Sequence, residues 1–374
     1  MARNINSRLN QLKTRRQGMD RLDRLALDAQ LEVIAKSLQA EEWQKRASYQ
    51  PNTQYALGAM QEVGPEYTRI SIETAERVGK QLANSISSVE FRLQGSVPLN
   101  VHIRGVSDVD LLTLDTGFLV YDRFGVSSQG GAYTQPTPKT SLGVLSTLRS
   151  NVERVLPVSF PAADVDTSGG KAVSISGGSL ARPVDVVPSH WYDTAAYQQS
   201  RQQHDRAIHI LNKKTAETIE NYPFLHIKRV SDRCAGALGG LRKAIRLCKN
   251  VKADAIEEGT SIPFPSFDIA AVMYHADMQA LTIGSIYELK ILAETQRFLD
   301  VLYHNEGYAK SLRTPDDLRV IIDTQEKYEG LKKLSIEMDD LLKEVAKEQK
   351  PGLILEMGTA LQSSRDAISV LKVA

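Results

Sequence analysis

Cysteine is scarce. Cys234 and Cys248 are too few for a disulfide framework, and they lie outside any Cys-x-x-Cys or Cys/His spacing that would cage zinc. That usage points to a reducing, cytoplasmic setting in which both thiols act as small core residues. An excess of one charge is also missing. Lys and Arg total 46 against 45 Asp and Glu, a formal net charge of +1, so no basic field advertises long nucleic acid as a partner. No run approaches the ~20 apolar residues of a membrane-crossing helix. The first two dozen residues are polar and Arg-rich, with no apolar stretch of a signal peptide. What is present is ordinary for a soluble globular chain: 374 residues, 42% hydrophobic and 24% charged, enough for one large bilobed unit or two domains.

Hydrophobic periodicity divides the chain. Leu22, Leu25, Ala29, Val33 and Leu38 predict a helix over 18–46, and Ala75, Val78, Leu82 and Ile86 a second over 72–86. The period then drops to two. Val89, Phe91 and Leu93 alternate with Glu90, Arg92 and Gln94 as in a strand, ended by Gly95-Ser96. Asp108 to Leu114 reads as the next strand, 123–139 as a loop and 139–155 as a helix. Strands follow at 171–176 and 182–188, with Gly177-Gly178 turning between them. From about residue 202 onward the pattern is helical: 202–219, 231–250, 265–280, 283–304, 315–346 and 353–371. The expected fold class is α+β. N-terminal helices (1–70) precede a mixed-sheet catalytic core (71–200), and a helical lobe (201–374) closes the chain. A cleft between such lobes is a natural ligand site.

Acidic residues carry the chemistry. On a strand, Asp108 and Asp110 at i and i+2 share one face. Two ionised carboxylates that close repel, and a divalent cation between them relieves the repulsion. The pattern alone is cheap, since Asp164-Val-Asp166 repeats it; that copy sits among turn-formers and reads as a solvated loop. Asp185 lies in the β-branched strand Arg182-Pro-Val-Asp-Val-Val-Pro188, where an inward carboxylate needs a partner or a metal. Gly95 permits close backbone approach to a phosphate, and Ser96 adds a hydroxyl donor. A plain turn and an edge-strand acid are the simpler readings of each part. Together the parts describe a two-metal nucleotidyl-transfer site.

Gly95-Ser96, Asp108-Val-Asp110-Leu-Leu and Val184-Asp-Val-Val-Pro188 resemble the polymerase-beta type nucleotidyltransferase superfamily. More narrowly they resemble the bacterial cyclic-oligonucleotide synthases of the cyclic GMP-AMP synthase/DncV-like family. The later segments Asn221-Tyr-Pro-Phe-Leu-His226, Gly240 to Lys252 and Pro265-Ser-Phe-Asp-Ile269 extend the resemblance over about residues 72–305. One departure is visible: Val97 to Arg104 lacks the Thr that many members carry before the acidic strand. The resemblance implies a bilobed nucleotidyltransferase with an N-terminal spine helix, and an enzyme that joins and cyclises ribonucleoside triphosphates with Mg²⁺ or Mn²⁺. Asp108, Asp110 and Asp185 would be the catalytic and metal-binding residues, with Gly95 and Ser96 at the phosphates. Arg242, Lys243, Arg246, Lys249 and Lys252 fall on one helix face, and in that context Arg246 and Lys249, with Ser266, are assigned to nucleotide binding. Implied partners are the nucleoside triphosphates, a regulatory or conjugating protein, and a separately encoded effector that the product activates in antiphage signalling; no membrane is implied. The alternatives are a template-independent transferase acting on an RNA, protein or small-molecule acceptor, and a non-catalytic nucleotide sensor.

Overall fold

The computed structural model describes residues 5–18, 41–352 and 360–373. The helix expected over 18–46 therefore lies mostly outside the described residues. Two compact units form: Gly64–Leu99 with Ser107–Arg229, and Met1–Val63 with Asn100–Val106 and Val230–Ala374.

The first unit is built on one mixed sheet. Its strands are β1 (Val89–Gln94), β2 (Val109–Tyr121), β3 (Asp164–Asp166), β4 (Val173–Ser176), β5 (Val184–Asp193), β6 (Ala207–Asn212) and β7 (Glu217–Asn221). The order is β1-β2-β5-β4-β3, with β6 joined to β5 and β7 to β6. β2 and β5 run parallel, and the remaining pairs are antiparallel. β5 is the hub, pairing through Val184–Val186 with β4 and through Ser189–Tyr192 with β6.

One face of the sheet is covered by two helices. Pro65–Ala83 starts with Pro at its first turn, where no amide partner is lost. Ser141–Ser159 is capped by Thr140, whose side-chain oxygen accepts from Gly143 N at 3.2 Å. Ala75, Val78 and Leu82 from the first helix and Leu148, Val152 and Leu156 from the second close over Val109, Leu111, Val173, Ile175, Val184 and Val186. The alternate strand residues Leu112, Leu114 and Val187 point the other way and form a second cluster with Trp191, Ile208 and Ile210.

Several sequence expectations are corrected here. Residues 202–219 are not a helix: they form a short 3-10 turn and the β6–β7 hairpin. Ile208 and Ile210 fit a period of two as well as a helical face, and the unpaired edge of β5 selects the strand. The sheet unit extends to Arg229. β2 and β5 continue to Tyr121 and Asp193, beyond the strands expected, and Asp108 just precedes β2. Asp164–Asp166 is a strand paired to β4 rather than a loop, although both carboxylates are exposed.

The second unit is helical among its described residues. Its larger helices are Ile5–Gln17, Pro51–Met60, Gly240–Glu257, Leu289–His304 and Gln325–Gln349. The helix expected at 231–250 is split, because Leu238 and Gly239 take left-handed φ values of 48° and 89° and end Pro223–Gly236. Gly240 then permits a close approach, since a Cβ there would lie 2.3 Å from Leu281 O. The helix expected at 315–346 starts only at Gln325, and of 353–371 the described helical part is Ala360–Ile368. Buried arginines tie Ile5–Gln17 into this unit: Arg8 pairs with Glu337 at 2.8 Å and Arg15 with Asp254 at 2.6 Å.

His190, fully buried on β5, gives the sheet unit a pH dependence. Nδ1 donates to Trp191 O at 3.0 Å, which leaves Nε2 to accept from the Ser141 hydroxyl at 2.6 Å. Burial holds this ring neutral, its pKa lowered to about 4, and the adjacent His209 is pushed down by the same cause. Between about pH 4 and the unfolded value near 6.5 the unfolded chain binds the extra proton, so stability falls as pH drops through that window. We expect His190 to remove about 2 kcal/mol of stability at pH 5 relative to pH 8. Urea unfolding at both pH values checks this, and His190→Gln should show the smaller acid loss.

Candidate active site

The pleat and the register assemble the acids. Asp110 and Asp185 are direct partners on the parallel strands β2 and β5, one step along from Val109 and Val184. Val109, Leu111, Val184 and Val186 belong to the helix-covered cluster, so Asp110 and Asp185 occupy the opposite face, that of Leu112 and Val187. Adjacent strands are ~4.8 Å apart, which brings two carboxylates side by side at the ends of apolar strands. Both are partly buried. Val109 N donates to Pro183 O at 3.1 Å, so the two strands start together and the pairing of the acids follows.

Gly95 closes this pair from the side of β1. Gln94, the last residue of β1, is opposite Asp110, and Gly95 follows at φ 75°. A Cβ on Gly95 would lie 2.1 Å from Asp110 Oδ2 and 2.9 Å from its Cγ. An L side chain there would be strained at that φ and would have to displace the Asp110 carboxylate. Ser96 is half-buried in the same turn. Asp108 is exposed just ahead of β2. On the far side, Ser174 of β4 is the register partner of Asp185, and its hydroxyl donates to Asp185 Oδ1 at 2.5 Å. The sequence reading missed Ser174. The available signal was its alternation with Val173 and Ile175, which places a polar residue on the acid face.

The donor set suits a hard divalent cation. Among the described residues, no three Asp, Glu, His or Cys side chains close into a metal cage. Mg²⁺ rarely asks for one: it keeps several waters and is held by one or two carboxylates together with substrate phosphates. The Asp110–Asp185 pair, with no side chain at Gly95, fits that mode of binding; Asp108, expected to complete the set, precedes β2 and is not gathered with them into a three-ligand group. A separate cavity of about 450 Å³ between Ser85–Ser87, Asp115 and the flank of Ser141–Ser159 shares no residue with the acids.

The other expected nucleotide contacts fall in the helical unit, and two of them are spent internally. Arg246 is buried, with Nε donating to Met60 O at 2.8 Å and a guanidinium NH2 group to Asn100 O at 2.7 Å. Burial lowers its pKa to about 10. Lys249 is buried too, and Nζ donates to Val101 O at 2.9 Å. Lys243 pairs with Glu288 at 2.6 Å, and Lys252 donates to Phe264 O at 2.6 Å. Arg246, Lys249 and Lys252 thus donate to backbone carbonyls, while Lys243 pairs with a carboxylate and Arg242 donates to the Ser231 hydroxyl at 3.2 Å, so the basic stripe is not a free cationic face. Helical spacing places side chains on one face but does not say what covers it. Ser266 is exposed at the first position of Ser266–Met273. Trp191 is buried; Nε1 donates to Glu90 and the Arg206 guanidinium lies 4.3 Å from its ring centroid.

Gly95→Ala is expected to reduce turnover at least 100-fold while leaving the unfolding midpoint within a few degrees of wild type. Steady-state product formation and thermal melts check this: the added methyl displaces the Asp110 carboxylate, at a surface turn that can give way without unpacking the core.

No family model matches the chain. Among known proteins it is 44% identical over 310 residues to a cyclic dinucleotide synthase, CdnE, of Yersinia aleksiciae, covering 83% of this chain and 80% of that protein. It is 33% identical over 309 residues to a c-di-GMP synthase of Capnocytophaga granulosa, covering 76% and 85%. The solved structure of the STING-associated CdnE c-di-GMP synthase from Capnocytophaga granulosa superimposes with a TM-score of 0.69 at 28% identity, over 91% of this chain and 97% of that one. With this likeness carried across most of both chains, the protein belongs to the CdnE family of cyclic dinucleotide synthases and is a nucleotidyltransferase.

Proposed function

We propose that this enzyme joins two ribonucleoside triphosphates and cyclises the product, releasing pyrophosphate at each step. The observation that carries the reading is the register of Asp110 opposite Asp185, flanked by a glycine at which any side chain would displace the Asp110 carboxylate. In each round the hydroxyl oxygen of one ribose forms a bond to the α-phosphorus of a triphosphate. The bond from that phosphorus to pyrophosphate breaks, and the hydroxyl loses its proton. The linear intermediate re-enters with its two ends exchanged, and the second round closes the ring.

Asp108, Asp110 and Asp185 would hold magnesium or manganese, which when bound neutralises phosphate charge and stabilises the leaving pyrophosphate. The chain's own contribution is placement. β2 and β5 fix the carboxylates on a rigid sheet, and the Gly95 turn gives a phosphate room beside them, with its backbone amides and the Ser96 hydroxyl as donors. Arg246 and Lys249 would serve this site only indirectly, through the helical unit whose carbonyls they satisfy.

A cyclic dinucleotide is preferred over a larger ring because the relatives above are described as dinucleotide synthases. Guanine nucleotides are the first to test, since the Capnocytophaga relative is a c-di-GMP synthase. That relative is also described as STING-associated, which supports a product read by a separately encoded effector, in antiphage signalling as the sequence resemblance implies. Among the described residues no helix is long and apolar enough to cross a membrane.

The test is incubation with the four ribonucleoside triphosphates and Mg²⁺ or Mn²⁺, phosphatase treatment and mass spectrometry of what survives. A phosphatase-resistant cyclic dinucleotide is expected, reduced at least 1,000-fold in an Asp108→Asn/Asp110→Asn double variant. A product that requires an added RNA or protein acceptor, or full activity in the double variant, would replace this reading.

A further inference from the structure

The reaction reading assigns three acids, but the structure shows that one of them does not stand alone. Asp185 lies on the central strand with Asp110 opposite it on β2 and Ser174 opposite it on β4. The parity of β4 is set by Val173 and Ile175, both fully buried in the helix-covered cluster, so Ser174 is directed to the acid face. Its hydroxyl donates to Asp185 Oδ1, and the residue is half-buried.

We propose that Ser174 is a positioning residue that sets the orientation of the Asp185 carboxylate for divalent cation binding. The inference rests on the proposed role of Asp185 as a metal-binding acid. Three physical points support it. A carboxylate beside a second carboxylate of like charge tends to rotate or move away, and a donor on its remote side opposes this. A hydrogen bond to one oxygen restricts rotation of the carboxylate and does not occupy the other oxygen. A hydroxyl is the suitable group, because it donates without bringing a positive charge that would compete with the cation; a Lys or Arg at this register position would neutralise Asp185 itself. The short, well-paired β4 places that hydroxyl from backbone, so no loop has to order for the contact to form.

Removing such an outer partner typically weakens metal affinity about 10- to 100-fold. The experiment compares wild type, Ser174→Ala, Ser174→Cys, Ser174→Thr and Asp185→Asn in the full chain. Mn²⁺ binding, with the metal alone, is followed by electron paramagnetic resonance, and the Mg²⁺ dependence of product formation by titration. Ser174→Ala and Ser174→Cys should raise the Mn²⁺ dissociation constant and the half-maximal Mg²⁺ concentration by about 10-fold or more, with much of the lost rate recovered at high Mg²⁺. Ser174→Thr keeps the donor on a β-branched residue suited to a strand and should stay within about 2-fold in both. Thermal melts identify any variant that has lost its fold, and the remaining ones decide. Wild-type Mn²⁺ affinity and Mg²⁺ dependence in a folded Ser174→Ala or Ser174→Cys variant would overturn the proposal. Unaltered Mn²⁺ binding and activity in Asp185→Asn would instead overturn the acid-site reading on which it stands.

Discussion

Two carboxylates held side by side on neighbouring parallel strands are the constraint around which the sheet unit is organised. Asp110 and Asp185 share a register position, and like charges at that spacing disfavour the folded arrangement. The strands carry this because the residues beyond the acids are deeply apolar. Leu111, Leu112, Leu114, Val186 and Val187 are buried on one face or the other, and their burial anchors the register. A shift of one residue would exchange every core side chain for a neighbour of the wrong polarity, and the acids would turn into the helix-covered core. The pairing of the acids is therefore held by hydrophobic packing, and it is the feature on which the proposed divalent-cation site rests.

The neighbouring strands complete the arrangement with small residues. The turn after β1 contributes a glycine whose missing side chain is the space next to Asp110. β4 contributes a serine that donates to Asp185. Neither is chemically conspicuous, yet Ser174 is the register partner of one acid and Gly95 follows the register partner of the other. The helical unit follows a different principle. Its cations are drawn inward: Arg8 and Arg15 pair with buried acids, while Arg246 and Lys249 satisfy backbone carbonyls. A basic helix in a nucleotide-using enzyme need not face the nucleotide, because buried carbonyls also require donors and a long cationic side chain can reach them.

The sequence by itself determined the elements that carry the acids. The alternation of Val89, Phe91 and Leu93, the turn at Gly95 and the β-branched run around Asp185 mark β1, β2 and β5 through local periodicity, and in each the core extent matches or falls short of the strand found. The resemblance through the same residues named the family that the relatives bear out. What only the tertiary structure decided concerns partners distant in sequence. The β6–β7 hairpin replaced an expected helix because the open edge of β5 was available to pair. Asp110 met Asp185, and Ser174 met Asp185, through register that no single segment encodes. The face covered by Arg246 and Lys249 was set by the carbonyls packed against it. Local spacing fixes which side chains share a face, whereas strand pairing and packing, which join segments far apart in the chain, decide what that face meets.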